Sequence, residues 1–273
     1  MGTTWLVISI FLSFVFPFVF PVFSGNFAVY YGKNEVDYLK TFKLVIIQPS
    51  HYDKQQIERI KNQGTKVIAY FSIGEIEKIL KYKNGKIIPI YLDRNKDGVP
   101  DKNKNWNSYF INPWTVEWKN YSKEKIKKIF SNGFDGLFLD TVDTVDIYPE
   151  LKENFVSYIK WLRDCFPSKI LIVNRGFSII KEISPYIDGV LFECFSTHYN
   201  FKNKRYERWK GNDLKWTENI MNKLKEMKLK IYILDYSKKE DIKLIEFIEK
   251  RAEKFGCPVY VSEIHLDKIF YKK

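Results

Sequence analysis

The stretch Asn132-Gly133-Phe134-Asp135-Gly136-Leu137-Phe138-Leu139-Asp140-Thr141-Val142-Asp143 decides the fold. Gly133 stands where a helix ends on a residue that tolerates positive φ. Leu137, Phe138 and Leu139 form an apolar run too short for a helix between these breakers, so they read as a buried strand. Asp140 closes that strand, and Asp143 follows three residues later. Packing gives little reason for a carboxylate at the end of a buried strand. Parallel α/β folds keep their chemistry at that end. The alternative for both aspartates is capping of the helix that follows.

Outward from this stretch the chain alternates. Residues 27–31, 44–48 and 67–71 are apolar runs of strand length, with a helix over 55–62 between the second and third. Residues 109–111 read as a fourth strand and 114–131 as the helix leading into Gly133. Beyond the fifth strand lie 170–174, 189–193 and 231–235. A ninth run, 259–262, becomes the eighth strand if an earlier assignment fails. Phe155, Ile159, Leu162 and Phe166 recur at helical spacing and mark one apolar stripe. Continuous apolar strands are covered on both faces. Alternation with helices implies parallel βαβ units. The fold class is α/β: a single-domain (β/α)8 TIM barrel over residues 26–273.

Residues 5–23 are almost wholly apolar, and no charged side chain precedes Lys33. Ser24 and Gly25 follow as a cleavage site would require, so residues 1–25 read as a secretory signal, or else as an uncleaved membrane anchor. Either places the chain outside the cell or on its surface. The formal charge is +12, from 45 Lys+Arg against 33 Asp+Glu. The basic residues are scattered, without an arginine-rich block, a phosphate loop or an RNA-binding signature, which argues against nucleic acid. Abundant Lys, Ile and Glu match a thermophile-like composition. Cys165, Cys194 and Cys257 lack metal-ligand spacing and allow at most one disulfide.

The residues at the strand ends share a character. Tyr31 ends the first strand, Gln48 the second, Asp140 the fifth, Asn174 the sixth, Glu193 the seventh and Asp235 the eighth; Tyr70 lies within the third and Glu75 just past it. In a barrel these ends converge on one centre. Two carboxylates facing each other there are what glycoside hydrolysis needs: one protonates the leaving oxygen, the other attacks the anomeric carbon or activates water. Asp140 and Glu193 are the candidate pair. Tyr31, Gln48, His51, Tyr70, Glu75, Asp143, Asn174, His198 and Asp235 are candidate substrate contacts. Trp106, Tyr109, Trp114, Tyr199, Phe201, Tyr206 and Trp209 add aromatic faces suited to sugar rings. Trp118 and Trp216, on helices, read as core. The reaction requires no cofactor.

The segments Gln48-Pro49-Ser50-His51-Tyr52, Ala69-Tyr70-Phe71-Ser72-Ile73-Gly74-Glu75, Gly133 through Asp143, Asp188-Gly189-Val190-Leu191-Phe192-Glu193 and Leu234-Asp235-Tyr236 resemble the glycoside hydrolase family of endo-α-1,4-polygalactosaminidases. The resemblance spans about residues 26–265. It implies a TIM barrel, an extracytoplasmic location and catalysis by Asp140 and Glu193. The family's substrate is a cationic galactosamine polymer. A chain of +12 would repel it, so the resemblance carries over the reaction class rather than the polymer.

Asp93-Arg94-Asn95-Lys96-Asp97-Gly98-Val99-Pro100-Asp101 departs from that pattern. Asp93, Asn95, Asp97 and Asp101 are spaced like the first part of an EF-hand loop, a candidate structural calcium site. Lys104 stands where the bidentate Glu would be, and a solvated turn is the alternative. Two function classes follow: a secreted or surface-anchored hydrolase of a polysaccharide, such as an amino-sugar polymer, or a non-catalytic carbohydrate-binding barrel. A binder would need neither Asp140 nor Glu193, which favours the enzyme.

Overall fold

The computed structural model describes residues 27–270. The N-terminal apolar run lies outside them, and with it the choice between signal and anchor. Among the described residues no helix is long and apolar enough to cross a membrane.

Eight strands form one parallel sheet in chain order: β1 (Phe27–Tyr30), β2 (Leu44–Ile47), β3 (Lys66–Ser72), β4 (Gly136–Asp140), β5 (Ile170–Asn174), β6 (Gly189–Glu193), β7 (Lys230–Tyr236) and β8 (Val259–Ser262). The sheet curls until β8 lies beside β1. Phe27 and Tyr260 face each other across that seam, ring centroids 6.2 Å apart. Just past it the Tyr31 N–H donates to the Leu266 carbonyl at 2.7 Å. The result is a nearly closed TIM barrel. Its strands are buried along almost their whole length, as continuous apolar runs require.

One strand assignment is corrected. Ser108–Phe110 is not in the barrel; it pairs antiparallel with Glu75–Ile76 and Lys102–Asn103 in a separate three-stranded sheet. Its burial alternates, so it is covered on one face only. Val259–Ser262 is the eighth barrel strand.

Five long helices pack around the sheet: α1 (Lys54–Lys61), α2 (Val116–Ser131), α3 (Lys152–Cys165), α4 (Gly211–Glu226) and α5 (Ile242–Lys254). Asp53 opens α1 with a full capping box to Gln56. Thr115 caps α2, which buries Trp118 and Ile126, and Gly133 follows it at φ 98°. The stripe of α3 buries Phe155, Ile159 and Leu162, with Tyr158 beside them. Each such side chain contributes about 1.5–3 kcal/mol on burial. Trp118 is core as expected, whereas Trp216 is half exposed on α4. All three cysteines are free.

Strands β4 and β6 both start at the glycine of an Asp-Gly pair. Asp135 accepts the Val67 N–H of β3 at 2.9 Å and pairs with Lys61 of α1. Asp188 accepts the Leu171 N–H of β5 at 2.8 Å and pairs with Arg163 of α3. Each aspartate thus ties a strand start to the adjacent strand and to a helix. Gly136 is needed because a Cβ there would collide with the Ile170 carbonyl. At the opposite, C-terminal end two excursions rise: the three-stranded sheet after β3, and after β6 a hairpin of Thr197–Asn200 and Arg205–Arg208.

Candidate active site

Alternation along the strands decides which end residues face the barrel centre. Asp140 of β4 accepts the Tyr70 phenol of β3 on one oxygen and the Asn174 amide of β5 on the other, both at 2.8 Å. The same Asn174 Nδ2 donates to Glu193 Oε2 at 2.5 Å, and the Tyr236 phenol of β7 donates to Glu193 Oε1 at 2.5 Å. Five successive strands, β3 to β7, therefore supply one hydrogen-bonded row. The bridged oxygens of Asp140 and Glu193 can be no farther apart than the two Asn174 bonds laid end to end, about 5.3 Å. Asn174 Oδ1 is buried without a hydrogen-bond partner.

The backbone is strained where this row ends. Thr141, Arg175 and Cys194, each directly after Asp140, Asn174 or Glu193, have φ of 61°, 54° and 60°. Non-glycine residues in this region cost about 1 kcal/mol or more and persist where the surroundings enforce them. Here the kink turns the chain away at once, leaving the preceding side chain at the lip of the barrel. The Thr141 hydroxyl meets Ser72 Oγ at 2.8 Å and accepts the Gly74 N–H at 2.7 Å. Trp209 Nε1 donates to the Cys194 carbonyl at 2.7 Å.

Burial first, and the charge of Asp140 second, raise the Glu193 carboxyl above the usual range; the bonds from Tyr236 and Asn174 oppose this without cancelling it. Burial likewise keeps Tyr70 and Tyr236 protonated as donors, with Asp140 and Glu193 reinforcing it. Tyr31 packs edge-on against Tyr70 at 5.0 Å and is raised in the same way.

Asp143 occupies the N-cap position of the turn Thr144–Ile147, but its side chain makes no cap bond. It faces Arg175, with Arg175 Nε 3.5 Å from a carboxylate oxygen. Recession into the lip pushes its carboxyl up to about 7 against the pull of Arg175, although the side chain keeps 40% of its exposure. His51 Nδ1 donates to the Tyr31 and Gly32 carbonyls at 2.9 and 3.1 Å, fixing the chain just past the end of β1. Gln48 lies half-buried where β2 turns into Pro49–His51. His198, in the hairpin, stacks on Trp209 at 3.9 Å, and burial lowers its pKa.

Two of the expected contacts are engaged within the protein itself. Asp235 is fully buried and accepts from the Ser196 and Thr197 amides, so it anchors the hairpin. It points away from the centre because Tyr236, the next residue, points toward it. Glu75 is engaged by Ser108 and Asn103 and holds the three-stranded sheet in place. Sequence reasoning missed Tyr236 and Arg175, although each directly follows a residue it had singled out.

Trp106 and Phe201, from different excursions, meet edge-to-face at 5.5 Å, and both are strongly exposed. In the loop 93–101, Asp93 accepts the Asp97 and Gly98 N–H groups and Asp97 accepts that of Val99. Asp101 is held by the Arg94 N–H and the Tyr148 phenol. Among the described residues no three His, Cys, Asp or Glu side chains gather as a metal site would need.

Two carboxylates, one of raised pKa, thus meet at the barrel mouth with their bridged oxygens no more than about 5.3 Å apart. The chain is 27% identical over 260 residues to an uncharacterized protein of Methanocaldococcus jannaschii, covering 84% of this chain and 72% of that protein. It is 22% identical over 246 residues to an uncharacterized protein of Thermotoga maritima, covering 81% and 73%. The glycoside hydrolase domain of PelA from Pseudomonas aeruginosa shares the fold with a TM-score of 0.76 at 21% identity, over 89% of this chain and 96% of that domain. Aspergillus fumigatus Ega3, solved with galactosamine, has a TM-score of 0.62 at 15% identity, over 88% and 91%. Residues 18–272 match the glycoside-hydrolase family GH114, and the chain belongs to that family.

Proposed function

We propose that this protein cleaves a polysaccharide containing amino sugars, with retention of configuration, using Asp140 as nucleophile and Glu193 as acid and then base. The observation that carries the reading is the single Asn174 amide bound to both carboxylates. With the bridged oxygens no more than about 5.3 Å apart, the pair is closer to the narrow spacing of retaining enzymes than to the wider, water-spanning spacing of inverting ones, which supports the reading. Glu193 gives its proton to the glycosidic oxygen as Asp140 attacks the anomeric carbon, breaking the bond to the leaving sugar. Glu193 then takes a proton from water, which attacks the same carbon and releases Asp140. Asn174, Tyr70 and Tyr236 hold both carboxyls in place without exchanging protons in the cycle.

The local charge favours a cationic sugar despite the net +12. The Asp140 nucleophile is anionic while Glu193 holds its proton, and Asp143, beside Arg175, adds a second negative charge above about pH 7. Galactosamine bound to Ega3 is consistent with this. The apolar N-terminal run favours delivery outside the cytoplasm, as a cleaved signal or an anchor. The test is a panel of amino-sugar, acidic and neutral polysaccharides, with the anomer of the first product read by NMR. Cleavage of an amino-sugar polymer with retention is expected. Binding without cleavage would make the protein a carbohydrate-binding barrel, and inversion would remove Asp140 from its role.

A further inference from the structure

At the end of the barrel opposite the carboxylates, the strand starts frame a groove of about 670 Å³. Its floor is apolar, with Leu44, Ile172 and Ile231, and its rim carries Lys43, Lys66, Lys225 and Lys230. All four lysines are exposed, and none forms an ion pair among the described residues. The carboxylate on the rim, Asp188, is already held by Arg163 at 2.7 Å and by the Leu171 N–H. The carboxylate pair thus lies at one end of the barrel axis, and a rim of four lysines without carboxylate partners frames the groove at the other.

Strand β1 begins at this same end, and the sequence before it is the apolar run 5–23 followed by Ser24, Gly25 and Asn26. From Phe23 to Phe27 an extended chain reaches at most about 14 Å. With the run in a bilayer, Phe27 would lie within about one to two Debye lengths of the headgroups, at the end of the barrel that the lysines rim. Juxtamembrane lysines are drawn to anionic lipid over that range.

We propose that the N-terminal end of the barrel docks on an anionic lipid bilayer, with the lysines on the headgroups and the carboxylate end facing away toward the polymer. The proposal rests on the charge and chain path of this end and is independent of the reaction at the other.

The test uses the full chain mixed with vesicles of phosphatidylcholine alone or with added phosphatidylglycerol, followed by acetylation with a water-soluble reagent and mass spectrometry. Lys43, Lys66, Lys225 and Lys230 should react about threefold or more slowly on anionic vesicles than on neutral ones. Lys83, Lys104 and Lys202, exposed on the excursions at the far end, should not change. The combined variant Lys43→Gln, Lys66→Gln, Lys225→Gln and Lys230→Gln should lose the anionic-lipid dependence of binding by about a hundredfold or more, since exposed lysines at roughly fivefold each multiply. Equal labelling of both ends on both vesicles overturns the proposal. So does protection of the rim by soluble polyphosphate but not by anionic vesicles, which would assign the lysines to a dissolved polyanion.

Discussion

The phenol of Tyr236 donates to Glu193 at 2.5 Å from the adjacent strand, and it is the only contact that holds Oε1 among the described hydrogen bonds. That bond lowers the Glu193 pKa against the burial that raises it. Tyr236→Phe should therefore raise the pKa further and shift the alkaline limb of kcat to higher pH. It should also lower kcat about tenfold through looser positioning of the carboxyl. A pH–rate profile of the variant checks both; an unmoved alkaline limb would refute the role.

Asp140→Asn and Glu193→Gln should each lower turnover by about two orders of magnitude or more, roughly 3 kcal/mol, with little change in Tm. The two differ in rescue. With an activated aryl glycoside, whose leaving group needs no acid, Glu193→Ala should recover turnover on addition of azide, because the anion attacks the glycosyl–Asp140 intermediate without a base and gives a glycosyl azide of retained configuration. Asp140→Ala should give a glycosyl azide of inverted configuration instead.

The Asp143 carboxyl, raised to about 7, is neutral below that pH and negative above it. For a cationic substrate KM should fall as pH rises through about 7. In Asp143→Asn that dependence should vanish while kcat stays within about tenfold of wild type. KM measured across the range decides; identical pH dependence in both proteins would exclude Asp143 from substrate binding.

Asp235→Ala leaves the Ser196 and Thr197 amides buried without an acceptor. The expected cost is about 3 kcal/mol, or about 10 °C in Tm for a domain of this size. Unchanged Tm with a raised KM would instead restore Asp235 as a substrate contact.

The expectation of calcium at Asp93, Asn95, Asp97 and Asp101 has a direct measurement. Saturating binding at a hundred times Kd would add about 2.7 kcal/mol. The melting temperature in millimolar calcium should then exceed that in chelator. Equal temperatures, with no calorimetric heat, would reduce the loop to a turn closed by its own hydrogen bonds.

The sequence made the barrel legible because its strands are unbroken apolar runs, and Asp140, Asn174 and Glu193 stood out as polar residues ending them. What it concealed depends on direction. Asp235 and Tyr236 are consecutive, so only one can face the centre, and charge alone pointed to the wrong one. The run around Tyr109 matched a strand in length but not in two-sided burial. Glu75 gave no sign that Ser108, 33 residues later, would claim it.

The seam between β1 and β8 lacks a ladder of its own among the described residues, so it is where the barrel should breathe first. Amide hydrogen exchange would find the β1 and β8 edges exchanging ahead of β4 to β6. Tyr31 sits at that edge with its ring against Tyr70, which holds Asp140. Local opening at the seam therefore reaches the carboxylates through two aromatic rings, and heat should loosen the site before it melts the barrel.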